Sequence, residues 1–183
     1  MVTSINYEII DKTTMPLSPT TEEEMGKYKW TVFVKDKVNK EELKNLSKEI
    51  IEIAKKELEF RGIIICFCDN KDYLGWGDTS LGEVVYAPNG DWDMTSTVDI
   101  GDYENMDYSF VLEERDWDKQ PTEEEVKIYK RWREILYETD FKDGLDEDLI
   151  TEKTSKELGI PIEEVEKAKT KVLHEWLYYK QTY

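Results

Sequence analysis

Between Glu83 and Asp99 the chain reads EVVYAPNGDWDMTSTVD, an Asn-Gly pair set between two alternating runs, and this pattern constrains the fold more than any other. Asn89 and Gly90 both accept the positive φ that a type I′ hairpin turn requires. In the second run Trp92, Met94 and Val98 share one parity, while Asp91, Asp93, Thr95, Thr97 and Asp99 share the other. The expectation is an antiparallel hairpin, with Trp92 and Met94 buried on one sheet face and Asp91, Asp93 and Asp99 exposed on the opposite one. Pro88 has no N–H for the ladder beside the turn, which lengthens the expected loop by a residue or two.

The neighbouring runs supply the rest of a sheet. Ile5 to Ile10 forms a first strand, followed by a Thr- and Pro-rich loop over 13–24. In Lys27 to Lys35, the residues Tyr28, Trp30, Val32 and Val34 alternate with Lys27, Lys29, Thr31, Phe33 and Lys35. That strand has one apolar face and one mostly basic face, for which Asp91 to Asp99 is the expected cross-strand charge partner. Asn39 with Glu42 makes a capping box, and Leu43, Leu46, Ile50, Ala54 and Leu58 recur at helical spacing up to Gly62. Ile63 to Cys68, apolar on both faces, is a central strand. Residues 69–82 read as a connecting loop and 100–106 as a turn; Tyr108, Phe110 and Leu112 then mark a final strand. The fold class is α+β, an antiparallel β-meander backed by one helix, occupying 1–118.

Beyond Asp116-Trp117-Asp118 the periodicity becomes helical, giving a C-terminal three-helix segment over 119–183. One helix opens at Pro121-Thr122 with Glu125 three residues on, and ends near Asp140 before the loop FKDG. Two more run over 146–158 and 162–179, separated by Gly159 and Pro161. The run TSKELGIPIEEV, Thr154 to Val165, looks like a helix-turn-helix core, with Ser155, Leu158, Gly159, Ile160 and Val165 at suitable spacings. Its second helix begins Ile162-Glu163-Glu164-Val165-Glu166, placing three carboxylates where base edges and phosphates would lie. The segment therefore reads as a packed helical hairpin.

Charge is the chain's most unusual property. The formal net charge is −17, and between Asp91 and Glu125 there are 13 Asp and Glu against 2 basic residues. This balance argues against direct nucleic-acid binding, which relies on Lys and Arg to neutralise phosphates. It suits a surface for a basic protein. The candidate partner-binding residues are Asp91, Asp93, Asp99, Asp102, Glu104, Asp107, Asp116 and Asp118, with Tyr103 and Trp117 as aromatic anchors. Imitation of DNA's charge, a divalent-cation site or hydrolase built from these carboxylates, and a plain solvated face are the competing readings. The crowding also predicts that acidification toward about pH 5.5 leaves stability unchanged or raises it.

Other chemistry finds little support in the residue pattern. Cys66 and Cys68 share one strand and the single histidine, His174, is far away, so no zinc spacing exists. The glycine-bearing loop 69–82 has neither a Gly-Lys-Ser/Thr ending nor a GxGxxG pattern, and its carboxylates do not keep the positions of a calcium loop. No metal, cofactor or catalytic residue is assignable. The two Asp-Trp-Asp triplets, 91–93 and 116–118, resemble acid pairs for glycoside hydrolysis, but nothing in the sequence sets their separation. Free core thiols point to a reducing compartment. No run approaches the roughly 18 apolar residues of a membrane span, and with Met1 as the native start the chain reads as cytoplasmic.

The run YAPNGDW, Tyr86 to Trp92, with a strand before it and a helical pair around KELGIPIEEVEKAKTKV, resembles small uncharacterised proteins of low-GC Gram-positive bacteria and their mobile elements, classed under domains of unknown function. The resemblance implies a shared fold. It brings no catalytic residue with it.

Overall fold

The computed structural model describes residues 5–15, 26–74, 79–139 and 146–177, which form two compact units, Met1–Arg115 and Asp116–Tyr183. Most of the expected 13–24 loop, the FKDG loop and the last two residues of the expected 162–179 helix lie outside the described residues.

The first unit is a five-stranded sheet in sequence order: β1 (Tyr7–Thr14), β2 (Lys27–Val34), β3 (Gly62–Cys68), β4 (Gly82–Pro88) and β5 (Met106–Leu112). Helix α1 (Lys40–Glu57) joins β2 to β3. The class is α+β and the sheet is mostly antiparallel, with one departure from a pure meander: β2 and β3 are parallel. A helix between two adjacent strands carries the chain back to its starting end, so the second strand runs the same way as the first. The capping box forms as the sequence implies, with Asn39 Oδ1 accepting from the Glu42 N–H at 3.0 Å and Glu42 Oε2 from the Asn39 N–H at 2.8 Å.

The register explains the core. Trp30 lies opposite Ile65, Val32 opposite Phe67, Ile63 opposite Tyr86, and Ile65 opposite Val84. All are buried, as are Leu43, Leu46, Ile50 and Ala54 along one stripe of α1. Polar groups tie the same face to the helix: Tyr7 donates to Glu49, Lys12 pairs with Glu57, and the Lys44 and Lys55 ammoniums lie over Phe110 and Tyr86. Cys66 and Cys68 share the other face as free, buried thiols. Burial pushes the Cys66 thiol up to about 11 and that of Cys68 to about 12, so both remain protonated and unreactive at neutral pH.

The expected hairpin of 83–99 is corrected. Asn89 and Gly90 do take positive φ, at 52° and 73°, and Asp91 N–H bonds to Pro88 O at 3.0 Å. The chain then enters a short 3₁₀ turn, Trp92–Thr97, instead of a strand, and β4 pairs with β5. Cross-strand chemistry decides this. A two-residue hairpin at Asn89-Gly90 would set Asp93 opposite Tyr86 and Thr95 opposite Val84, on the face that α1 buries. The pairing with β5 sets Tyr108 and Phe110 there. The charge pairing of Asp91 to Asp99 with Lys27, Lys29 and Lys35 is corrected for the same reason, because the neighbours of β2 are β1 and β3. β1 is also longer than the expected 5–10, running on to Thr14 with an irregularity between Ile9 and Asp11.

The second unit contains α2 (Glu123–Glu138), α3 (Glu147–Leu158) and α4 (Ile162–Lys169), the last continuing as a π-helical stretch, Thr170–Leu177. Gly159 ends α3 in the left-handed conformation at φ 68°. Trp132 on α2 donates to Thr151 on α3 at 3.1 Å, and Thr151 to Glu166 on α4 at 2.9 Å. Lys169 joins Glu166 to Glu147 at 3.1 and 3.3 Å, so one polar chain fastens three helices.

Candidate partner-binding surface

The loop between β4 and β5 holds five of the candidate carboxylates, and Asp107 follows on β5. Asp91 caps the 3₁₀ turn, its Oδ1 accepting from the Asp93 N–H at 3.0 Å. Thr95 is fully buried in that turn and its hydroxyl donates to Trp92 O at 2.7 Å. The turn seats on the start of β3 because Gly62 has no side chain: a Cβ there would lie 2.5 Å from Thr95 Cγ2 and 3.0 Å from Trp92 Cζ3. Lys27 extends its ammonium over the Trp92 ring at 5.2 Å. Trp92 and Met94 are thus half-buried against the unit's own strands, where the sequence places them in a sheet core.

From Asp99 the loop folds back. Gly101 N–H reaches Phe60 O at 3.2 Å and Asp102 N–H reaches Asp99 O at 3.2 Å. Asp102 Oδ1 accepts from the Glu104 N–H at 3.1 Å, and Asp107 Oδ1, already on β5, from the Tyr108 N–H at 2.8 Å. Asp91, Asp93, Asp99, Asp102, Glu104 and Asp107 are all exposed. Their side chains cap backbone N–H groups or face solvent, and none forms an ion pair among the described residues. Some acids elsewhere are matched: Arg131 bridges Glu134, Glu138 and Glu157, and Lys171 bonds Glu175.

The two proposed aromatic anchors serve their own units. Tyr103 is half-buried against Phe60, ring centroids 5.0 Å apart, and its hydroxyl accepts the Phe60 N–H at 3.3 Å. Burial raises its phenol above the usual value, so the hydroxyl stays neutral. Trp117 meets Trp176 edge to face at 5.8 Å in the second unit. Asp116 and Asp118, beside it, are exposed, and Asp116 pairs with Lys119 at 3.4 Å.

One polar cluster has no signature in the sequence, where 69–82 reads as a plain connection. Ser80, fully buried, donates to Asp69 Oδ1 and accepts from the Asp69 N–H at 3.0 Å, while Arg115 Nε donates to Ser80 O at 2.5 Å. Tyr73 is buried beside them, and desolvation raises its phenol and lowers the Arg115 guanidinium from their ordinary values. The cluster latches the end of β3 to the approach of β4 and the exit of β5. Its members are scattered over 47 positions, from Asp69 to Arg115, so no local spacing signals it.

Among the described residues no three of His, Cys, Asp or Glu converge to hold a metal ion, and no helix is long and apolar enough to cross a membrane. In the second unit, an open groove of about 810 Å³ is lined by Ile135, Leu149, Lys153, Lys156, Glu138 and Glu157, with mixed charge on its walls.

No protein-family model and no curated protein matches the chain. Among solved structures, it is similar to a DUF487 family protein from Desulfovibrio piger, at 16% identity over 87% of this chain and 88% of that one, with a TM-score of 0.46.

Proposed function

We propose that the protein is a non-catalytic interaction module whose β4–β5 loop presents an acidic surface to a basic partner protein. The observation that carries this reading is the set of six exposed carboxylates from Asp91 to Asp107, of which Asp91, Asp102 and Asp107 cap backbone N–H groups, with no cation matched to any of the six among the described residues. Unmatched like charges in one loop cost the free protein repulsion, which a basic partner relieves while it gains orientation and association rate. Asp116 and Asp118 extend the acidic character of the sequence into the second unit. At the exposed start of α4, Glu163 and Glu164 present negative charge where a DNA reader would present donors, which favours a protein partner over a duplex.

Affinity capture with the immobilised chain at low and high salt tests the reading. Neutralising Asp93, Asp99, Asp102 and Glu104 to their amides is expected to abolish salt-sensitive capture of a basic protein. The same treatment of Glu152, Glu163 and Glu164 is the control and leaves capture intact. Equal capture by both variants defeats the proposal.

A further inference from the structure

The two edges of the sheet are built differently. β1 carries Glu8, Asp11 and Lys12, is irregular between Ile9 and Asp11, and has ion pairs to Lys71 and Glu57 across it. Charges and bulges of this kind are how proteins stop an edge from pairing with another chain. β5 has no irregularity and, among the described residues, no ion pair. Its seven residues, MDYSFVL, hold an unbroken register with β4, carry one charge, Asp107, and leave Val111 57% exposed. No strand lies on its other side among the described residues.

The direction of its hydrogen bonds follows from its two ends. Asn89 N–H bonds to Asn105 O at 2.8 Å and Glu113 N–H to Leu81 O at 3.1 Å, so the odd-numbered residues of β5 bond toward β4. The even-numbered ones turn their backbone groups outward. Tyr108 N–H is already taken by Asp107 Oδ1. Among the described residues, the N–H groups of Phe110 and Leu112 and the carbonyls of Tyr108, Phe110 and Leu112 have no partner and form a template.

The charges flanking that template select its occupant. From Asp91 to Glu114 there are eight carboxylates and no Lys, Arg or His, with Asp102, Glu104 and Asp107 before the strand's apolar stretch and Glu113 and Glu114 after it. A second copy pairing antiparallel about Ser109 would bring Glu113 and Glu114 of one chain toward Glu104 and Asp107 of the other. An extended segment with Lys or Arg near both ends meets opposite charge instead, and its apolar residues continue the row formed by Tyr108 and Phe110, whose rings stack at 5.6 Å.

We infer that the outer edge of β5 is a strand-addition site for an extended segment of a partner protein that alternates apolar and basic residues. The inference rests on the acidic-surface reading and deepens it, naming the mode of binding and the partner's chemistry.

The test uses the full chain and a fluorescent peptide of alternating Lys and Val, beside the same peptide with every backbone amide methylated. The two have equal charge, but only the first can donate to the β5 carbonyls. The unmethylated peptide is expected to bind, to slow amide exchange at Phe110 and Leu112, and to outbind the methylated one by at least about tenfold, as loss of a few ladder hydrogen bonds requires. Val111→Lys, at an exposed position, is expected to weaken it comparably while leaving the circular dichroism of the protein unchanged. Equal binding of both peptides without protection at Phe110 and Leu112 overturns strand addition and leaves the acidic surface standing. Failure of both peptides to bind at low salt removes both. A dimer that Val111→Lys dissociates, with no peptide binding, assigns the edge to a second copy and overturns the inference.

Discussion

Gly62 shows how much a missing side chain decides. Its φ is ordinary, so its value lies in space: Thr95 and the Trp92 ring occupy the volume a Cβ would need. In the sequence Gly62 reads as a helix stop, but α1 ends earlier, at Glu57, where Leu58 turns extended and its N–H closes the last turn on Ala54 O at 2.9 Å. Its role in receiving a turn thirty residues downstream has no local signal. Gly62→Ala must displace the 3₁₀ turn or the strand end, and overpacking of this kind costs roughly 1–3 kcal/mol. The expected outcome is a lower urea midpoint at unchanged slope, with a shift in Trp fluorescence as Trp92 moves.

Among the elements, α1 was legible because its information is local. Stripe and capping box both lie between Asn39 and Ala54 and are realised, while Leu58, expected on the stripe, is the extended C-cap and the helix stops there rather than at Gly62. Asn39→Ala removes one arm of the box and is expected to cost about 1 kcal/mol, read from urea unfolding followed by far-ultraviolet circular dichroism. An unchanged midpoint would mean the side chain contributes nothing beyond solvation. The strand expected over Asp91 to Asp99 does not form, because alternation within one run does not specify the partner it must face. Opposite Tyr86 and Val84, the acidic parity would have met the buried face, whereas Tyr108 and Phe110 match it. The pairing test was available in the residues themselves. The 3₁₀ conformation was not, because it depends on where Thr95 lands.

For the whole molecule, pH separates carboxylates that bond from those that repel. Bonds to Arg131 hold Glu157 below its ordinary value, and bonds to Lys71 and Lys44 do the same for Glu8 and Glu41. Burial raises Glu166, but its bonds with Lys169 and Thr151 outweigh this and bring it below 4.5. A carboxylate depressed in the folded state stabilises fully above its unfolded value and loses that contribution as pH falls through the folded one. These groups therefore give nothing away between neutrality and about pH 5.5. Thermal midpoints should stay level or rise over that interval and drop only below the ordinary carboxylate value of 4.5. A steep loss above about pH 5.5 would contradict this, since it requires groups that titrate nearer neutrality in the unfolded chain.

The sequence by itself determined the α+β class, the amphipathic helix behind the sheet, the buried cysteines, the left-handed Asn89-Gly90 turn and the concentration of acid after it, because each is a property of a short window or of composition. Only the tertiary structure decided that β2 and β3 run parallel, that Trp92 to Thr97 rests on Gly62, that Tyr103 and Trp117 pack inward, and that Asp69, Ser80 and Arg115 meet. Those outcomes are set by which distant segments compete for the same sheet edge and the same space. Packing of the half-buried Tyr108 and Phe110 beside Tyr86 and Val84 wins that competition over a local hairpin that would have set Asp93 on the same face.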